Sequence, residues 1–462
     1  MESPTATRAL ATFITTGRPP EPVRAQALSA ILDTVAVTIA GGVEPSVRRL
    51  ASTLDETAGA HKVSCLWTGR KLRAEDAALL FGMAGHVLDY DDVSMLAVCH
   101  PSTPVLAAAL CSIDGLEVSG RALVDAFCIG TEVMIRTGEA MGFRHYALGF
   151  HATATLGAIG AAATCARLIG LDEDRTAHAL AIAATMSGGL RKNFGSMVKS
   201  LHVGLAASNG VRAARLAAAG VEGAQEVFEE EGFLNAFSGG ETDHWPSYLA
   251  LGKPHYALVQ PGFEQKRYPC CYMLHKMIEG TLALRRDGGL TLREVAGVLV
   301  EMPVGGTKPL IHPRPRTGLN ALFSAPYAVA ASLEDGRIDL ASFTDAAVQR
   351  PQIQARLGDV NVTESGAGIA HGRDIGAAPV TVSLRLVNGR TATRDVIASP
   401  GSPDDPLTDE QLLAKWHDCV KRGLPGITEG AAHALFRQGC ELDGLPLVDT
   451  WLGALRAAAR PH

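Results

Sequence analysis

Aromatic side chains make up only 5% of this 462-residue chain and charged ones 19%, so neither ring stacking nor dense ion pairing can be its main source of cohesion. An excess of positive charge is missing too. The formal net charge is −6, which leaves no basic field to hold nucleic acid or an anionic lipid surface. Nine cysteines stand at 65, 99, 111, 128, 165, 270, 271, 419 and 440, an odd number in a long chain, which argues against a disulfide framework. No C-x-x-C pair occurs, and the adjacent Cys270 and Cys271 cannot both ligate one ion comfortably, so neither a structural zinc nor an iron–sulfur centre is expected. No glycine-rich phosphate fingerprint follows an expected strand, which speaks against a nucleotide-binding α/β enzyme. The most apolar early run, AILDTVAVTIAGG from Ala30, contains Asp33 and is shorter than a bilayer span. The opening MESPTATRAL has no basic stretch leading into a long apolar one, so no leader is expected. A cytoplasmic protein with no nucleic-acid or membrane partner is the expectation.

What is present is Ala, Leu, Val and Ile, within a hydrophobic content of 47%, together with 49 glycines that let helices approach closely. The length suggests two domains. Helices are predicted over 5–15, 22–40 (Ala27, Ile31, Val35 and Ile39 on one face), 75–88, 121–141, 175–187 and 205–219. The texture changes near 266. TLREVAGVLVEMP reads as a strand and PVTVSLRLVNGRTATRDV as a hairpin turning at Asn388-Gly389. SPGSPDDP ends this part, and Thr408 with Gln411 forms a capping box for a returning helical tail. The expected fold is mainly α with an α+β lid: a large all-helical domain of residues 1–265 and 404–462, and a smaller inserted α+β domain of 266–403.

Chemistry concentrates in GGLRKNFGSMVKSLHVG, residues 188–204, where Arg191, Lys192, Lys199, Asn193 and His202 interrupt an otherwise apolar sequence. Gly188 and Gly189 break the preceding helix, and a glycine-flanked loop opening into a helix offers free N–H groups to an anion. Further candidates are the acidic turn Asp89, Asp91 and Asp92, His100 before a new apolar helix, and Tyr146 with His151 before another. An acidic turn ahead of a helix can be capping alone, and a histidine there can simply precede the helix.

In order along the chain, HVLDYDD with CHPS, GFHATAT, NFGSMVKSLHVG, KRYPCC and TGLNALFSAPY resemble the MmgE/PrpD superfamily, which includes 2-methylcitrate dehydratases, cis-aconitate decarboxylases and iminodisuccinate epimerases. The resemblance covers most of the chain. It implies an active site in the cleft between the two domains and a homodimer. It places Asp89, His100, His151, Lys199, Lys266 and Tyr327 in that cleft, with the histidines as acid/base candidates, the lysines on substrate carboxylates and Tyr327 reaching in from the lid. Tyr146 is a further proton-donor candidate, and Arg191, Lys192, Ser94 and His202 are candidates for substrate binding. The chemistry implied makes or breaks a bond beside a carboxylate of a small polycarboxylate, which needs a base near neutral pKa and cations to stabilise an enolate-like transition state. Neither metal nor cofactor is called for. Val93, with Ser94 next, stands where some members have Thr, and the spacing from Asp89 to His100 is one residue longer than in the decarboxylase pattern. That ordering puts dehydration first, then epimerisation, then decarboxylation. A non-catalytic carboxylate-binding homologue is the competing class, disfavoured because cleft cations are costly to desolvate without a use.

Overall fold

The apolar helical patterns of the first half fold into long helices whose exposed first N–H groups are capped by the side chains of Thr5, Ser119, Asp172 and Ser196. The structure, a computed structural model, describes residues 5–56, 62–113, 115–240, 250–366 and 372–459; the first four residues, part of the leader argument, lie outside these. Helix Ala152–Leu168 is buried along almost its whole length and packs against Gly120–Ala147, Ser102–Ser112 and Met197–Ala218. Alanine and glycine make such packing possible. A Cβ on Gly204 would lie 2.2 Å from the Leu79 carbonyl oxygen, so Met197–Ala218 and Ala74–His86 touch backbone to backbone. A short hairpin of β1 (Val63–Ser64) and β2 (Lys71–Leu72) lies beside this array.

The second half builds a four-stranded sheet from β3 (Val295–Pro303), β4 (Val360–Ser365), β5 (Val380–Leu386) and β6 (Thr391–Val396) in the order β4-β3-β5-β6. β3 runs parallel to β4 and antiparallel to β5, and the predicted hairpin is β5 with β6. Val380, Val382 and Leu384 alternate inward on β5. Helices His275–Gly288 and Ala325–Asp335 pack against the sheet and each other, and a Cβ on Gly280 would lie 2.9 Å from Val382.

Two large apolar cores result, with a small third cluster of Val93, Met95 and Tyr272. One gathers residues from Ala6 to Phe263 and again from Leu412 to Leu455, with Leu340 added; the other runs from Tyr268 to Leu384. The tail therefore rejoins the first core, where Trp416 and Trp451 are fully buried, and the Thr408–Gln411 capping box is present. Helix Glu21–Gly41 is longer than the apolar run read from the sequence. Its length and composition would suit a bilayer, but it is packed inside the protein, and its Asp33 meets Lys415 of helix Asp409–Gly423 at 2.7 Å.

Candidate active site

The acidic turn follows helix Ala74–His86 directly and is held in an uncommon backbone conformation, with φ of 48° at Asp89 and 50° at Val98. Left-handed backbone at non-glycine residues costs about 1–3 kcal/mol and survives only where surrounding contacts impose it. Those contacts are visible. Val93 pairs with Glu264 through backbone hydrogen bonds of 2.9 and 2.7 Å, which draws the segment carrying Lys266 against the turn. The Lys266 ammonium donates to the Asp89 carbonyl at 2.7 Å and lies 3.1 Å from its carboxylate, and the Lys199 ammonium donates to the same Oδ1 at 2.7 Å. Burial pushes the Asp89 carboxyl up, but the two ammonium groups outweigh it and hold Asp89 well below the usual carboxylate range.

Lys199 sits on a helix rather than in a loop. Helix Met197–Ala218 begins eight residues earlier than predicted, because Ser196 caps it by accepting from the Val198 N–H. Lys199 and His202 thus share a helical face, one turn apart. The preceding loop is fixed by a second pairing: the His151 N–H donates to the Gly189 carbonyl at 3.0 Å and the Arg191 N–H to that of Gly149 at 2.8 Å.

The histidines form a row, buried at His86, His151 and His202 and half-buried at His100. His86 Nδ1 lies 2.8 Å from Asp91 Oδ2, and because an ionised carboxylate only accepts, this nitrogen carries the proton. Burial lowers the His86 pKa to about 3 against the opposing pull of Asp91, so the ring is neutral. His100 stands edge-on to His86 with centroids 4.5 Å apart, its Nδ1 3.4 Å from Asp91 and its Nε2 3.9 Å from Asp89. His151 stands at the N-cap position of its helix without a side-chain capping bond; its Nδ1 is 3.2 Å from His202 Nδ1, and among the described residues its Nε2 has no hydrogen-bond partner. Burial first, then the neighbouring histidines and Lys199, hold His151 well below its ordinary pKa, which makes it a neutral base.

These groups open onto a cavity of about 800 Å³, counted out to the solvent at its mouth, with walls from both cores. Asp89, His100, His151, Lys199, Lys266 and Tyr146 all line it. Tyr146 reaches it because Gly142, at φ 57°, kinks helix Gly120–Ala147. Five expected residues stand elsewhere. Tyr327 is fully buried in the second core and its hydroxyl donates to the Ser342 carbonyl, so it does not reach in: its helix turns this side chain toward the sheet domain's interior. Ser94 is buried off the cavity, its backbone paired with Cys99. His202 lies behind His151, and Lys192 lines an outer recess with Arg191. Phe323 of the second core and Tyr272, which packs with Val93 and Met95, line the cavity along with Phe194. Of these, Tyr272 directly follows KRYPCC and Phe323 lies within TGLNALFSAPY, so both were near a motif. His86 opens HVLDYDD and Asp91 stands near its end, both behind the cavity-lining face, while Lys308, shared with the outer recess, belongs to no motif.

Ligand-capable atoms of His86, Asp89, Asp91 and His100 lie within 4.8 Å of one another. A divalent cation there would meet the Lys199 and Lys266 ammonium groups already on Asp89, so the donor set suits a protonic site better than a metal.

A helical array carrying a cavity of paired lysines and histidines, walled by an α+β unit, defines a class, and comparison with known families places it. Models of the MmgE/PrpD N-terminal domain and the MmgE/PrpD C-terminal domain match residues 8–246 and 268–435. The chain belongs to the MmgE/PrpD family and is an enzyme of that type, a lyase or an isomerase. Among curated proteins it is similar to the cis-aconitate decarboxylase of Homo sapiens, 27% identical over 84% of this chain and 81% of that one. It is also similar to a cis-aconitate decarboxylase-like protein of Aspergillus oryzae, 28% identical over 86% of each chain. The cis-aconitate decarboxylase of Mus musculus is 28% identical over 74% of this chain and 70% of its own length.

Proposed function

We propose that this protein is a lyase acting at the carbon beside a carboxylate of a small di- or tricarboxylic acid, and that cis-aconitate is the first substrate to test. The observation that carries the reading is the pair of buried ammonium groups on Asp89 beside neutral His151. Negative charge that accumulates next to a carboxylate spreads onto its oxygens, and cations fixed in place before the reaction stabilise that charge without reorganising. Each lysine has three N–H donors, so Lys199 and Lys266 can keep Asp89 and still hold a substrate carboxylate. In decarboxylation the bond to one carboxyl group breaks, carbon dioxide leaves, and the electron pair passes through the adjacent double bond to the carbon beside another carboxylate. A protonated histidine then delivers a proton to that carbon and is reprotonated from water. His100, lining the cavity, takes this role, with Tyr146 as an additional donor; Arg191 and Lys192 act on the substrate from outside.

One observation favours a second reading, dehydration of a 2-methylcitrate-like acid. A neutral, buried His151 is a base suited to removing a proton beside a carboxylate, while a second acid protonates the departing hydroxide. Incubation with cis-aconitate, 2-methylcitrate and iminodisuccinate in deuterated water separates the possibilities. Carbon dioxide release marks decarboxylation, a new alkene marks dehydration, and deuterium entry without net loss marks epimerisation. No change in any of the three acids would sink the reading in favour of a non-catalytic carboxylate binder. The proposal includes a domain division following the two cores, with residues 266–403 as the lid, and a cytoplasmic homodimer working without cofactor, nucleic acid or membrane. Sedimentation at the mass of a single chain would remove the dimer.

A further inference from the structure

A second cavity, of about 660 Å³ counted out to the solvent at its mouth, lies where both connections between the two large cores pass. Glu264 lines it from the connection between Phe263 and Tyr268, and Ser402 from the one between Leu384 and Leu412. Met95 and Tyr272 belong to its wall and to that of the catalytic cavity, but Asp89, His100, His151, Lys199 and Lys266 do not line it.

Its buried polar groups are incompletely paired. Glu264 and Ser402 are each 7% exposed, and among the described residues Glu264 Oε2 and Ser402 Oγ have no hydrogen-bond partner. Lys276, also on the wall, is 6% exposed; its ammonium donates to the Gly376 and Ala378 carbonyls at 2.7 Å each, and among the described residues no carboxylate lies within 4.0 Å of it. An ammonium has three N–H donors, so one remains. A buried charge without a counter-charge and buried polar atoms without partners each cost free energy.

Burial pushes the Glu264 carboxyl up to about 8, and pushes the Lys276 ammonium down to about 8 against the pull of Glu264 and Asp404. Near pH 7 the first is therefore mainly neutral, with an O–H to give, and the second mainly charged. Lys276, Glu264 and Ser402 then offer three donors and one positive charge, which suits the oxygens of a single carboxylate. Asp404, exposed on the same wall, carries a negative charge that turns away a second one.

We propose that this cavity is a second binding site, for a small monocarboxylate whose oxygens accept from Lys276, Glu264 and Ser402. The site is independent of the lyase reading above, because its occupancy is measured without turnover.

The test combines diffraction from crystals of the full chain soaked in trichloroacetate, whose chlorine atoms scatter anomalously, with calorimetric titration of acetate and malonate into wild type, Lys276→Met and Ser402→Ala. An anomalous peak is expected beside Lys276. Acetate binding should weaken roughly tenfold or more in Lys276→Met, about the value of one charge-assisted contact, and severalfold in Ser402→Ala. Malonate, which can still use the catalytic cavity, should bind both variants as it binds wild type. Lys276→Met frees two carbonyls; if it does not fold, Ser402→Ala, which removes only an unpartnered hydroxyl, carries the comparison alone. No peak beside Lys276, or acetate affinity unchanged in the folded variants, overturns the proposal. So does an equal loss for acetate and malonate, which would mean general attraction of anions.

Discussion

Asp89 concentrates the site's physics in one side chain, because a single carboxylate oxygen receives two ammonium groups while its own backbone is held left-handed. Asp89→Asn removes the charge and leaves two buried cations facing each other, so a loss of about 3–5 kcal/mol in denaturant unfolding is expected together with lost turnover. His151→Asn keeps the helix start but deletes the base; turnover on the true substrate should fall about 10²–10⁴-fold with the circular dichroism spectrum unchanged. Retained turnover would remove His151 from the mechanism. Tyr327→Phe is the contrasting case. Its hydroxyl donates to the Ser342 carbonyl and meets the Arg350 guanidinium, both away from the cavity, so the substitution should cost about 1–2 kcal/mol of stability and leave turnover near wild type.

At the scale of elements, the site depends on how closely two helices approach. The Gly82–Gly204 contact brings the end of Ala74–His86, and so the Asp89 turn, against the first turn of Met197–Ala218, where Lys199 lies. Gly204→Val would force these helices apart at an expected cost of about 1–3 kcal/mol, and would lower turnover by separating Lys199 from Asp89. A thermal melt and a rate measurement on the same preparation test both effects; unchanged turnover in a destabilised variant would mean the helix spacing does not control the ion pair. The short pairings Val93–Glu264 and Phe150–Leu190 do comparable work for Lys266 and His151. Neither is a strand that an alternating sequence pattern could announce.

For the whole molecule, the returning tail is tied to the site through Lys415. Its buried ammonium donates to the Tyr90 carbonyl at 2.9 Å and to that of Lys266 at 2.8 Å, while meeting Asp33 at 2.7 Å. One side chain thus joins the second helix, the acidic turn and the segment leading into the sheet domain. Lys415→Met should destabilise by about 3–5 kcal/mol by stranding Asp33, and pairing it with Asp33→Asn should recover stability without recovering turnover. Recovery of both would reduce Lys415 to a structural role. A second whole-molecule effect is pH dependence at the junction of the two cores. Burial raises the Glu264 pKa from 4.5 to about 8, so the folded state binds a proton that the unfolded state releases, and this group's contribution to stability declines as pH rises from 4.5 through about 8. Glu264→Gln should therefore raise the melting temperature relative to wild type more at about pH 8 than near pH 4.5. An equal shift at both values would exclude that linkage.

Local sequence determined the helices, their caps, the β5–β6 hairpin and the identity of the acid, base and cation candidates, because each rests on spacing within one turn or one strand pair. Asp89, His100, His151 and Lys199 were legible in this way, since chemistry-bearing residues stand out in a chain this poor in charge, whereas Lys266 was legible only through the family resemblance carried by KRYPCC. Tertiary structure decided which of them meet. It buried Tyr327 in the sheet domain's core, set His202 behind His151, and put Tyr272, Phe323 and Lys308 on the cavity wall. A residue's motif says what its side chain can do. The direction in which that side chain points is set by packing between segments far apart in the chain. In GGLRKNFGSMVKSLHVG the local Ser196 cap begins the helix at Met197, and that packing directs Lys199 inward to Asp89 and leaves Arg191 and Lys192 at the outer recess.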